Sequence, residues 1–134
     1  MNGVAAVRQL LVADATLIAL VPATRIMSGV NPLGTALPAI AITPVSGVDL
    51  QTHDEPGQRF TTDRVQVTVM ASTYPSLQEV LAAVKRAGDA KAPTVTGISN
   101  VVCRTDGQGP WFMDEGASIH LQSQDFKVSY TADN

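Results

Sequence analysis

The stretch from Arg59 to Ala71, RFTTDRVQVTVMA, constrains this chain more than any other. Val65, Val67, Val69 and Ala71 alternate with Arg64, Gln66 and Thr68, and residues two apart on a strand share a face. One face of this strand is therefore core and the other is wet or shared, an arrangement typical of antiparallel sheets. Something must cover the apolar face, and two segments have the pattern to do so. Val4, Val7, Leu10 and Leu11 recur at helical spacing near the start, and Leu77, Val80, Leu81 and Val84 form a second stripe on a helix predicted over about 76–87. Lys85 and Arg86 fall in its last turn, where the helix dipole favours cations. Its start is signalled by Ser76 with Glu79 three residues on, a capping box, or by Thr73 ahead of Pro75. Asp14 would interrupt the first apolar stripe. It reads instead as the N-cap of a second short helix, ATLIAL, which Pro22 ends.

The remaining segments read as strands and connections. A short strand is expected around Arg25 to Ser28, and another over Ala39 to Val45, where Pro44 requires an edge position or an end near Thr43. TVTGISNVVCRT is a strand with Gly97 as a bulge or bend, and SIHLQSQDFKVSYT is a long closing strand. In that last strand the apolar set changes parity between Leu121 and Phe126, which calls for a bulge or a change in which face is covered. Two stretches without periodicity, about 46–58 and 106–117, read as long loops. The second contains GPWFMDEG, where Trp111, Phe112 and Met113 either fold back on the core or are offered to a partner. The class is α+β: a mainly antiparallel twisted sheet of about four to five strands, with two helices on one face, in a single domain over 1–134.

Composition narrows the function. A chain of 134 residues with net charge −3 and nine basic residues lacks the clustered cations that grip phosphates, so tight nucleic-acid binding is not expected. The lone Cys103 cannot form an internal disulfide. Asp14 breaks the N-terminal apolar run and no basic segment precedes it, so neither a signal peptide nor a membrane span is expected.

Candidates for chemistry are sparse. Cys103 and His120 lie on adjacent predicted strands and could meet, but cysteine is among the most buried residue types and reads as structural. His53, Asp54 and Glu55 could ligate a metal, yet contiguous residues in an extended loop point in different directions and no second histidine lies nearby. GVNPLG and TDGQG have neither dinucleotide nor P-loop spacing. The expectation is no catalytic residue, no metal site and no cofactor.

Several strings resemble a known group. LLVADATLIALV, RIMSGVNPLGTALPAIAI, VQVTVMASTYPSLQEVLAAVKRA and QDFKVSY are similar to the small tail-completion and tail-terminator (head-to-tail joining) proteins of long-tailed bacteriophages and prophages. The resemblance spans roughly residues 4 to 131 and rests on many local matches. It implies a structural protein of the virion neck, assembled in the host cytoplasm: a ring, usually of six subunits, that caps the tail tube, ends its polymerisation and joins tail to head. Implied partners are further copies of the chain, the tail-tube protein and the head-completion or connector protein. DNA would pass through the lumen without tight binding. A head-closure (stopper) protein is the neighbouring alternative.

No catalytic residue carries over from the resemblance. The matching partner loops hold Asp49, Gln51, His53, Asp54, Glu55 and Arg59 in one, and Trp111, Phe112, Met113, Asp114 and Glu115 in the other. Phe112, Asp114 and Glu115 echo an aromatic followed by acids in family members, while Trp111 and the polar closing strand depart from the pattern. Arg64, Gln66 and Thr68 would form a sheet face shared with a neighbour. Two other classes make different demands: a metal-dependent enzyme would use His53 and His120, and a monomeric peptide-binding module would use Trp111 as its anchor.

Overall fold

The computed structural model describes residues 2–29, 36–50, 58–116 and 118–133. Among them the chain runs α1 (Asn2–Ala13), α2 (Ala15–Leu20), a 3-10 turn (Ala23–Arg25), β1 (Ile26–Ser28), β2 (Ala39–Leu50), β3 (Gln58–Ala71), α3 (Tyr74–Gly88), β4 (Ile98–Gln108), β5 (Phe112–Asp114) and β6 (Ile119–Asp133). The six strands form one sheet in the order β1-β2-β3-β6-β4, with β5 also paired to β6. All pairings are antiparallel except the short β1–β2 one. The fold is α+β, with the three expected helices and one more strand than the expected four to five.

The helices form where the sequence placed them, and their caps explain their ends. Asp14 Oδ1 accepts from Leu17 N at 2.9 Å, starting α2. Of the two start signals for α3, Thr73 is the cap: its hydroxyl accepts from Ser76 N at 3.3 Å, and Pro75 sits in the first turn, where its missing N–H costs nothing. Val7, Leu11, Leu17, Leu77, Leu81 and Val84 bury their stripes against Ile40, Ile42, Val65, Val67, Val69, Phe126 and Val128. The alternation of β3 is thus realised, with the helices on its valine face.

Pro44 neither ends β2 nor breaks the sheet. Ile42 turns its carbonyl outward to Gly29 N at 2.7 Å, and the two-residue period turns Pro44 the same way. There β1 has already stopped, so the missing N–H faces no strand among the described residues. The ladder to β3 continues past a register shift to Leu50 opposite Phe60. The expected loop at 46–58 is therefore strand at both ends, and residues 51–57 lie outside the described residues. The loop expected at 106–117 likewise begins as the end of β4 and contains β5.

Two further corrections concern the closing strands. Gly97, with φ +92°, belongs to the turn before β4, and the bulge comes at Asn100, where φ is +54° and the register with β6 shifts between Ser99 and Val102. The β3–β6 ladder runs unbroken from Gln58 opposite Asp133 to Ala71 opposite His120, so no bulge explains the parity change in β6. Instead, His120, Gln122 and Gln124 occupy the helix-side positions that Phe126, Val128 and Tyr130 occupy further along.

A buried acid ties the layers together. Asp63, only 2% exposed, accepts at Oδ2 from Gly3 N of α1 at 3.0 Å and from the Tyr130 hydroxyl at 2.8 Å. A carboxylate at the first turn of a helix meets free amides and the positive end of the dipole. Asp63 thus docks the start of α1 onto β3 and β6.

Candidate functional site

The polar positions of β6 support an exposed aromatic tip. Gln124 Nε2 donates to Gly107 O at 3.0 Å, and Gln122 Nε2 donates to Gly109 O at 3.0 Å while also bonding to Gln78 of α3 at 2.8 Å. Gly109 N donates to Ser123 O at 2.9 Å. These bonds hold the end of β4 and the residue after it along the edge of β6 opposite β3, and β5 then pairs with residues 119–121 of the same strand.

At its tip, Trp111 Nε1 donates to His120 Nδ1 at 3.2 Å and the two rings stack with centroids 5.7 Å apart. Tyr74, the first residue of α3, meets Trp111 edge-on at 5.9 Å. The cluster is anchored and yet open: Trp111 is 45% exposed and Phe112 61%, with Met113, Asp114 and Glu115 exposed beside them. Trp111 therefore does not fold down as a lid on the aliphatic core. Its support is the polar end of β6.

The face of the sheet away from the helices carries Arg64, Gln66 and Thr68, as the alternation predicted. Arg64 Nη2 reaches Asp125 Oδ2 at 2.7 Å and its Nε reaches Asp106 at 3.3 Å, while Lys127 approaches Asp106 at 3.7 Å. The hydrogen bond and charge of Asp125 hold the Arg64 guanidinium further in its charged form. Beside this network Val48, Thr62, Ser129 and Val102 stand in register across four strands, with Thr62 and Ser129 hydroxyls 3.2 Å apart. Val48 is 68% exposed, and Phe60 and Val102 are exposed nearby. A row of exposed valines and hydroxyls next to a charge network on an uncovered sheet face has the make-up of a protein contact.

The other expected residues are distributed unevenly. Asp49 lies at the far end of β2 and accepts from the Thr61 hydroxyl at 2.8 Å. Arg59 sits in β3 opposite Ala132. Gln51, His53, Asp54 and Glu55 lie outside the described residues. Cys103 and His120 are not brought together: Cys103 pairs with Val128, eight residues along β6 from His120, roughly 27 Å at strand rise. Burial, and secondly the charge of Asp89, push the Cys103 thiol up to about 12, the opposite of a nucleophile's requirement. Among the described residues, no cluster of three or more His, Cys, Asp or Glu could hold a metal ion, and no helix is long and apolar enough to cross a membrane.

Sequence reasoning missed Tyr74, Gln122 and Gln124. Tyr74 was hidden inside a helix-start signal. The glutamines were detectable as polar residues at the parity of Phe126 and Val128, which marks a place where the helix-side face meets polar backbone instead of core.

Comparison with known proteins completes this picture. No curated protein sequence is significantly similar to the chain. Among solved structures, a chain from the virion of native gene transfer agent (GTA) particle is similar in fold, with a TM-score of 0.69 over 96% of this chain and 94% of that one at 20% identity. The sequence model described as tail completion protein gp17 matches residues 5–129. A match over nearly the whole length joins the fold and the exposed faces to one assignment: the chain belongs to the tail completion protein gp17 family and is a structural protein of the virion tail.

Proposed function

We propose that this protein completes the tail by capping the tail tube: it ends tube polymerisation and offers the surface that joins tail to head, acting as a closed ring of six subunits in the virion neck. The observation that carries this reading is the family match over residues 5–129. The exposed features support it. A subunit that stops a polymer must present different surfaces to its own copies, to the tube below and to the connector above, and the chain has several candidates. The aromatic and acidic tip at 111–115, the residues Asp49, Gln51, His53, Asp54, Glu55 and Arg59 between and at the ends of β2 and β3, and the Arg64, Gln66 and Thr68 face are the surfaces we assign to partners.

The reading makes the protein a non-enzyme that needs no cofactor. DNA would cross the ring without tight binding, since nine basic residues against twelve acidic ones offer phosphates little hold.

Electron microscopy of tails assembled with and without the protein tests the proposal. Without it, tails of irregular length or tails unattached to heads are expected. Tails of normal length joined to filled heads in its absence would overturn it.

A further inference from the structure

We infer that the β5 tip of one copy seats in a groove between α1 and β1 of a second copy, joining subunits head to tail. The inference rests on the ring proposed above and names the contact that would close it.

The topology puts the two halves of this contact on opposite sides of the molecule. β3 occupies one side of β6 along residues 120–133, so β5, paired to residues 119–121, must lie on the other side with β4. β1 is the far end of the sheet order. Along that far edge runs a groove of about 500 Å³, floored by Ala5, Val12 and Ala13 of α1, closed by Ser28 of β1, and flanked by Arg8 and Gln9. It continues through Ala5 and Ser28 into a second hollow that reaches Ile42 and Pro44. The groove is apolar, lined by small residues, and contains a cation and no acid.

The tip matches it in kind. Trp111, Phe112 and Met113 supply exposed apolar bulk, and Asp114 and Glu115 supply the charge that Arg8 would meet. Arg8 already spends Nε on Ile26 O at 3.2 Å, which aims the side chain along the groove. A comparable hollow between α2 and α3 fits less well: its lining holds Glu79 as well as Arg86, so it offers the acids of the tip no net positive charge. Knob and groove differ in shape and charge, so the contact proposed is heterologous. Each copy then offers one of each, and such heterologous contacts generate rings where the rotation closes.

The test uses the full chain assembled with tail tubes. Met113→Cys and Ala5→Cys are placed in separate copies; both positions are exposed, and the native Cys103 is buried. Mixing the two under mild oxidation is expected to give a cross-linked pair that neither variant gives alone. Trp111→Ala should weaken association at least about tenfold, as loss of a central aromatic anchor does. Arg8→Glu should weaken it too, and Glu115→Arg should restore it.

Rings that form on tubes with no mixed cross-link and no effect of Trp111→Ala would overturn this inference and leave the ring reading standing. Cross-linking of Met113→Cys with itself would also overturn it, since that contact is isologous. Absence of any oligomer, on tubes or off, would sink the ring reading and this contact with it.

Discussion

Asp63 and Cys103 show how a single side chain can be read from its neighbours. Carrying the alternation of Val65 and Val67 backward puts Asp63 on the core face, so a buried acid was legible in the sequence. Its partners were not, because Gly3 and Tyr130 are 60 and 67 residues away. Cys103 is the simpler case: a lone cysteine in an aliphatic strand reads as structural, and it is buried. Its thiol pKa is raised from 9.0 to about 12, so between those values the unfolded chain has lost a proton that the native chain keeps. The unfolded state then binds fewer protons, and stability falls as pH rises. The contribution is fully present below pH 9 and is lost toward about 12. Urea unfolding at several pH values should therefore show a steeper alkaline decline in the wild type than in Cys103→Ala. Parallel curves would show that the thiol titrates alike in both states.

Among the elements, the end of α3 packs tightly on the middle of β6. A Cβ placed on Gly88, the last residue of α3, would lie 2.5 Å from the ring of Phe126, which is fully buried. Alanine there gains helix propensity but forces the ring or the helix to move, and overpacking of this kind costs about 1–3 kcal/mol. Gly88→Ala should lower the urea midpoint accordingly with an unchanged slope. Gly107→Ala, where nothing lies within 4 Å, should leave it within about 0.5 kcal/mol of wild type.

The elements also show where sequence reading stops. The three helices and the valine alternation were legible because their periodicity is local. The full length of β2 was not, since Pro44 and Gly47 suggest a break unless one knows that β1 has ended beside them. Nor was β5, whose three residues follow a chain that Gln122 and Gln124 hold along β6. Of the candidate site, the aromatic tip and the Arg64 face could be named in advance. Tyr74 joins that tip only through the fold.

For the whole molecule, one aliphatic cluster draws on all three helices and on five of the strands. No subset of elements has a core of its own among these buried residues. The chain should then unfold in one cooperative step, with helix and sheet signals coinciding across the urea transition. Two separate transitions would contradict the single-domain reading.

The edges of the sheet differ in their exposure to stray pairing. Pro44 blunts the β2 edge, where an unpaired N–H would otherwise invite another strand.

The attachment of the β5 tip has a consequence for how such a protein can change. Gln122 and Gln124 hold the backbone carbonyls of Gly109 and Gly107, and Ser123 holds the Gly109 amide, so the side chains from Pro110 to Glu115 take no part in those bonds. Exposed positions beside the anchored Trp111, such as Phe112, Met113 and Glu115, can be rewritten while the core beneath them goes on folding unchanged. Recognition and foldability can then drift on separate clocks, and new specificities become reachable by short substitutions in one exchangeable hairpin.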